Sequence, residues 1–454
     1  MKKKPEPKSD RREMVDQYGN VFMVADELSR GGQGVVFRTR DADIAIKQPI
    51  DSATGFVFEG PEKTAQFAET IENLRLLPIP ESIPVTMPLS TLEKAPGYAM
   101  KLLSGMRPVS SFEPTGNDRK KLLEEPSPAW LANVSSAELK TDLMHYGRTG
   151  GLRRRLAVLH KTAAILARLH SAGIVYADIS PNNVFAGEGP DPEVWIIDPD
   201  NMRLESSRGS SVYTPGYGAP EVVTGRDSAR PRTDCWAFAV LAFRMLALAH
   251  PFIGKKVLEP DADGDWADEP QQASPGAGSP DDRAYAGEFP FIDDEDDDSN
   301  AFTGGLPRTL VLTDGLRRLF QETFGAGRLS PWRRPPMLLW ARELAWAFDH
   351  AVDCPGCGMG FYAEHHAVCP YCETRRVSSA VIRSFRWAIV ARTDTGNDVS
   401  LPGRLFRGYT PADARDESAR LAAYDETSGS FFPAFGQGEA FPASIETIEM
   451  GDAS

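Results

Sequence analysis

The sequence predicts an α+β protein: a small β-rich part, a larger helical part, a metal-held ribbon and a small β-rich extension. Three observations carry this. Short β-type runs crowd residues 14 to 103, and apolar residues recur at helical spacing from 152 to 169. Four of the 5 cysteines fall between 354 and 372 as two C-x-x-C pairs. At 454 residues the chain exceeds what one core supports, so two or more domains are expected.

Composition narrows the class. A content of 41% hydrophobic and 25% charged residues is ordinary for a globular protein. The net charge of -14 argues against broad binding to nucleic acid or anionic membranes, both of which need basic fields. The most apolar run, "WAFAVLAFRMLALAH" (236 to 250), is short and contains Arg244, so it reads as a buried helix and not as a membrane span. The opening "MKKKPEPKSDRRE" is basic but no apolar core follows it, which predicts a cytoplasmic chain without a secretory signal.

Taken in order, residues 1–13 are charged, contain proline and have too little apolar content to fold alone; they are expected to be disordered. From 14 to 103, "GNVFMVADEL", "GVVFRTR", "DIAIKQPI" and "GYAMKLL" read as strands around one helical stretch at 62 to 77. The part from 104 to 349 is mostly helical. There "LRRRLAVLHKTAAILARLHSAG" sets Leu152, Leu156, Leu159, Ala163, Leu166 and Leu169 on one helix face. Residues 255 to 305, with Pro, Gly and the run "DDEDDD", read as a solvated acidic insertion. Residues 350–376 hold the cysteines. From 377 to 454, "SFRWAIVAR" and "LPGRLFRGY" are β-like, then the chain turns polar, with no legible chemistry.

The motifs follow. In "LSRGGQGVVF" (28 to 37), Gly31, Gly32 and Gly34 lie between two β-type runs, where glycines let a hairpin lay its N–H groups over phosphates; a plain β-turn has the same pattern. Lys47 lies in an apolar strand, where its charge is costly without a partner such as a phosphate. "LHSAGIVYADISPNNVF" supplies Asp178 and Asn183, and "VWIIDPDN" supplies Asp198 after an apolar strand. Phosphoryl transfer needs a carboxylate near the attacking hydroxyl, an amide and a carboxylate for a metal, and a cation on the nucleotide phosphates. Asp178, Asn183, Asp198 and Lys47 fill those places. Separately, Cys354, Cys357, Cys369 and Cys372 supply four thiolates, enough for a closed, structural Zn²⁺ site. His365 and His366 are expected to face solvent, and Cys235 to pack in its apolar helix.

On these residues the chain resembles a Hanks-type, eukaryotic-like bacterial serine/threonine protein kinase over residues 14 to about 349. "TPGYGAPE" (214 to 221) is similar to the end of that family's activation segment, and "TDCWAFAVL" (233 to 241) to the start of its large buried helix. Arg333 or Arg334 is placed to pair with Glu221. The resemblance implies a bilobal protein kinase fold, with 14–103 as N-lobe and 104–349 as C-lobe, and ATP and Mg²⁺ as ligands. Lys47 would contact the α- and β-phosphates, oriented by Glu69 or alternatively Glu72. Asp178 would take the proton of a protein Ser or Thr hydroxyl, while Asn183 and Asp198 hold Mg²⁺. Ser29, Gly31, Gly32, Gly34, Val36 and Ala45 would also meet the nucleotide. Met100 would be the gatekeeper, and the backbone from Lys101 to Leu103 would face adenine.

There are departures from the family. Tyr176 and Ala177 stand in place of His-Arg, Ser180 in place of a lysine, and "DPD" in place of Asp-Phe-Gly. The first argues against control by activation-segment phosphorylation, although Ser206, Ser207, Ser210, Ser211 and Thr214 offer hydroxyls; the second is expected to cost some catalytic power unless another cation serves, and the third argues against a Phe-driven flip. The alternatives are a nucleotide-binding pseudokinase scaffold and a small-molecule phosphotransferase, since an Asp-x-Asp such as Asp198 and Asp200 occurs there too. With its zinc ribbon the chain also resembles the kinase of the tellurite-resistance-associated phosphorylation triad. That implies a PP2C-type phosphatase and a von Willebrand A protein as partners.

Overall fold

In a computed structural model, the described residues are 12–31, 34–51, 54–58, 60–132, 134–189, 192–206, 211–259, 279–362 and 364–375. Beyond them the backbone of strands between 379 and 450 is described. The first part is one antiparallel sheet built from β1 (Arg12–Val15), β2 (Val21–Arg30), β3 (Gly34–Thr39), β4 (Ile44–Pro49), β5 (Pro88–Thr91) and β6 (Tyr98–Lys101). Their spatial order is β1-β2-β3-β4-β6-β5. Arg12 and Glu13 pair with Val24 and Met23, so the fold starts two positions inside the segment expected to be disordered. Residues 1–11 of that segment lie outside the described residues.

Strand β4 is central, and Ala45, Ile46, Lys47 and Gln48 are all buried. Helix α1 (Pro61–Arg75) opens with proline at its first turn, where no N–H partner is lost, and contacts β5. Ile71 and Leu74 are buried and Phe67 is half-buried, which sets the helix face that meets the core.

The second part is organised by three long helices. Leu152, Leu156, Leu159, Ala163, Leu166 and Leu169 are all 0% exposed on the helix Gly151–Ser171, so the helical spacing read from sequence marks its buried face. The helix Pro231–Ala247 is buried over nearly its whole length, Cys235 included. Met337–His350 packs along Gly151–Ser171. Among the described residues no helix is long and apolar enough to cross a membrane.

Of the two arginines considered for Glu221, Arg334 makes the pair: Nη1 and Nη2 donate to the carboxylate at 2.7 and 2.8 Å. The guanidinium also donates to the Gly327 carbonyl and lies 4.9 Å from the Trp236 ring centre. Both residues are buried. Removing one partner strands the other charge, so Glu221→Ala is expected to cost about 3–5 kcal/mol of stability, read as a lower urea midpoint.

The acidic insertion is solvated only in part. Residues 260–278 lie outside the described residues, Glu295 to Asp298 are exposed, and the segment around them carries buried anchors. Phe289, Phe291 and Ile292 are buried, and the fully buried Asn300 donates to the carbonyls of Phe252 and Pro290. In the acidic run, Asp293 pairs with Arg308 at 2.8 Å, and Asp294 accepts from the backbone of Asp296 and Asp297. The acidic stretch is therefore a folded loop tied down by three aliphatic and aromatic anchors.

After the last long helix, Ala351–Asp353 and Gly360–Tyr362 form a two-stranded ribbon. Past it, Ser379–Ser384 lies between Leu405–Tyr409 and Ile445–Met450, and Ile389–Arg392 pairs with Asp398–Val399 and Glu439–Ala440. The described parts of the two β-like runs expected there are strands, residues 385–388 and 401–404 of them lie outside the described residues, and two further strands, Glu439–Ala440 and Ile445–Met450, lie in what reads as the polar tail.

Candidate functional site

A cavity of about 590 Å³ lies between the sheet and the helical part. The β2–β3 hairpin roofs it with Leu28, Ser29, Gly31 and Gly34. The absence of a side chain at Gly34 leaves room there: a Cβ would lie 3.0 Å from the Lys47 Cε and the Gln48 carbonyl oxygen, so these neighbours would have to shift by a few tenths of an ångström. Met100, Lys101 and Leu103 form one wall, and Val36 and Lys47 line the interior. The floor carries Asp178, Asn183 and Asp198. Of the other residues expected to meet a nucleotide, Gly32 lies outside the described residues, and Ala45 is sealed in the sheet without lining the cavity.

Register positions Lys47. It sits opposite Val36 on β3 and Tyr98 on β6, so the three side chains share one face of the sheet. Its ammonium donates to Asp198 and, at 2.7 Å, to Asp200 Oδ2. Burial alone pushes the lysine toward the neutral form; the carboxylates of Asp200 and Asp198 outweigh it and hold the pKa above its ordinary value. The expected ion pair to a helix glutamate is absent. Glu69 is exposed, and Glu72 binds Arg75 at 2.7 Å. The reason is helical phase: at 100° per residue Glu69 lies about 200° around the axis from both Phe67 and Ile71, which face inward.

Asp178 is placed by the chain before it. The backbone N–H groups of Tyr176 and Ala177 donate to the Asp234 carboxylate at 2.8 and 2.9 Å, and Ala177 is held at φ 73, a strained value for a non-glycine residue. Asp234, the acid of "DCW", is 1% exposed and also meets His170 at 3.0 Å. The Tyr176 hydroxyl donates to the Ile197 carbonyl, tying this turn to the strand end before Asp198. Asn183 Nδ2 reaches the Asp178 carbonyl oxygen and Oδ2 at 2.9 and 3.2 Å, and Thr214 Oγ1 donates to Asp178 Oδ1 at 2.8 Å. Burial raises the Asp178 pKa; the bonds from Thr214 and Asn183 pull the other way without cancelling it.

Tyr98, Thr214 and Thr86 are contributors that sequence reasoning missed. The buried Tyr98 hydroxyl donates to Asp200 Oδ1 at 2.7 Å, while Thr214 and Thr86 line the cavity. Period-two alternation in "YAMK" marks Tyr98 as pointing to the same side as Met100, a usable signal. Of the other activation-segment hydroxyls, Ser211 is held by Arg203 at 2.8 Å, and Ser207 and Ser210 lie outside the described residues.

The second cluster is the cysteine set. The sulfurs of Cys354, Cys357, Cys369 and Cys372 all lie within 4.8 Å of one another. Cys354 to Cys372 is 3.4 Å and Cys357 to Cys369 is 3.6 Å, too long for disulfides. Four Zn–S bonds of about 2.3 Å in a tetrahedron put sulfurs about 3.8 Å apart, so the spacing fits such an ion. Backbone N–H groups of Gly356 and Tyr371 donate to Cys354 and Cys369, as suits thiolates.

Comparison with known proteins bears on the first cluster. The model of the protein kinase domain family matches residues 141–269, a span that includes Asp178, Asn183 and Asp198. The chain is 30% identical over 139 residues to the serine/threonine-protein kinase PknD of Chlamydia pneumoniae, covering 26% of this chain and 15% of that protein. It is 32% identical over 110 residues to serine/threonine-protein kinase pkn2 of Myxococcus xanthus, covering 22% and 13%. With death-associated protein kinase dapk-1 of Caenorhabditis elegans it shares 35% identity over 102 residues, 22% of this chain and 7% of that protein. The matches thus span a small part of each relative's length. Residues 141–269 thus match a protein kinase domain, with distant homology to Ser/Thr kinases, and the β-rich sheet and helical region are consistent with that fold.

Proposed function

We propose that the chain is an ATP-dependent protein kinase that transfers the γ-phosphoryl group to Ser or Thr hydroxyls of proteins. In this reading 14–103 and 104–349 are its two lobes and 350–376 is a zinc ribbon. The observation that carries it is the meeting of Lys47, Asp178, Asn183 and Asp198 in one cavity beneath a glycine-bearing hairpin. Asn183 and Asp198 would hold Mg²⁺, which when bound neutralises charge on the phosphates. Lys47, kept cationic by its carboxylate neighbours, supplies a second positive group for phosphate oxygens. The substrate oxygen bonds to the γ-phosphorus as the bond to the ADP oxygen breaks, and the hydroxyl proton passes to Asp178. Burial suits Asp178 to that task, because a raised pKa makes it a stronger proton acceptor than a surface aspartate.

The test is incorporation of radiolabel from γ-labelled ATP with Mg²⁺, with and without casein as acceptor and alongside Asp198→Ala. Label on protein that Asp198→Ala abolishes supports the reading. Nucleotide binding without transfer points to a pseudokinase, and label on a metabolite alone points to a small-molecule phosphotransferase.

The pH profile offers a separate check. The Thr214 hydroxyl bonds the ionised Asp178 and favours that form, so its loss raises the carboxyl pKa further. The base form is then populated only at higher pH. Thr214→Val is expected to move the acid limb of kcat/KM upward by roughly half a unit to one unit, as a hydrogen bond of about 1 kcal/mol implies.

A further inference from the structure

We infer that Asp200, strapped by Tyr98, replaces a helix carboxylate as the anchor of Lys47, so that no carboxylate of α1 holds the lysine. The inference rests on the phosphoryl-transfer reading and assigns a positioning residue within it.

Three observations converge. Asp200 uses both oxygens: Oδ2 accepts from Lys47 at 2.7 Å and Oδ1 from the Tyr98 hydroxyl at 2.7 Å. Tyr98 is 0% exposed, lies opposite Lys47 in the sheet and stacks on Phe67 with ring centres 6.4 Å apart. The carboxylate is thereby fixed from the sheet through Tyr98, whose ring rests on Phe67 of α1. The face of α1 turned to the core is apolar, carrying Phe67, Ile71 and Leu74 where an anchoring glutamate would have to project. With Asp198 and Asp200 each taking one of the three ammonium donors, one N–H remains for a phosphate oxygen.

The chemistry sets the cost of losing this arrangement. Lys47 is 5% exposed, and without the Asp200 oxygen its ammonium loses one of the two carboxylates that fix its position. Asp198 alone would then serve both the lysine and the metal.

The experiment compares Asp200→Ala, Asp200→Asn, Tyr98→Phe, Glu69→Ala and Glu72→Ala in the full chain. Three quantities are read: kcat and KM for ATP, the rate of Lys47 acetylation by an N-hydroxysuccinimide ester followed by mass spectrometry, and the melting temperature. Asp200→Ala is expected to lower kcat/KM by about 10- to 100-fold, the weight of a charged hydrogen bond, and to raise the Lys47 labelling rate about tenfold. Asp200→Asn, which keeps the shape, follows in the same direction with a smaller change, and Tyr98→Phe smaller still. The glutamate variants stay within about twofold of the parent, since no contact to Lys47 is lost. Loss of activity in Glu69→Ala or Glu72→Ala with Asp200→Ala near the parent would overturn the inference. So would an Asp200→Ala defect that excess Mg²⁺ repairs with Lys47 labelling unmoved, which would make Asp200 a metal ligand. Should the parent transfer no phosphate, the kinase reading fails, while the labelling rates still decide whether Asp200 anchors Lys47.

Discussion

Asp178→Asn is expected to reduce phosphate incorporation by about 10²- to 10⁴-fold while leaving nucleotide affinity within a few-fold and the melting temperature nearly unchanged. The substitution is isosteric, and an amide loses only the 3.2 Å contact from Asn183 Nδ2 to Oδ2, since Asn183 keeps its bond to the residue 178 carbonyl oxygen. The amide oxygen can still accept the Thr214 hydroxyl at Oδ1, and the backbone bonds that place residue 178 come from Tyr176 and Ala177 to Asp234, not from the carboxylate. What disappears is a proton acceptor whose basicity burial has raised. The loss should therefore appear in kcat, measured by radiolabel transfer, with titration of a fluorescent ATP analogue as the control for binding. Unchanged turnover would falsify the role given to Asp178. An equal loss of binding would instead mean that the side chain holds the cavity together.

Much of the cavity floor was legible because its residues follow rules that act over short stretches. Asp178, Asn183 and Asp198 lie in loops next to apolar strands, and a carboxylate at a strand end has few other uses. The helix Gly151–Ser171 was equally readable, since its buried face repeats every three or four residues over 21 residues. Glu69 illustrates what is not local. Its choice depends on the rotational phase of α1, which is decided by how Phe67, Ile71 and Leu74 pack and not by the presence of a glutamate. Strand β5, "PLST", escaped notice because it opens with proline and has no strong alternation; pairing with β6 makes it a strand. Composition told half of the acidic insertion, whose Glu295 to Asp298 are indeed exposed. Charge dominates "DDEDDD", yet Phe289, Phe291 and Ile292 just before it decide that the segment packs. The partner of Lys47 was out of reach for a related reason: Tyr98 and Asp200 are 102 positions apart, and only the completed sheet brings them together.

Removing metal from the cysteine cluster is expected to lower the melting temperature of the helical part it packs on, by roughly 5–10 °C, and not merely to loosen an appendage. The small ribbon core consists of Phe361 with Cys354 and Cys369, too little apolar surface to hold two short strands in register without a cross-link. Its other face is shared. Met359 and Tyr362 are each 1% exposed within the main core, and the Tyr362 hydroxyl donates to the Val311 carbonyl at 3.1 Å. Tyr371 meets Trp130 edge-on at 6.1 Å, and Arg153 pairs with Asp353 at 2.9 Å across the junction with the helix Gly151–Ser171. If the ribbon opens, two large side chains leave the core, at about 1.5–3 kcal/mol each. That loss falls on the helix packed beneath them. Calorimetry before and after treatment with a strong chelator reads the shift, Cys369→Ser supplies the genetic counterpart, and metal analysis of the untreated protein should find about one zinc per chain. A chain that purifies without metal, or melts at the same temperature after chelation, would show that the four sulfurs meet for packing alone.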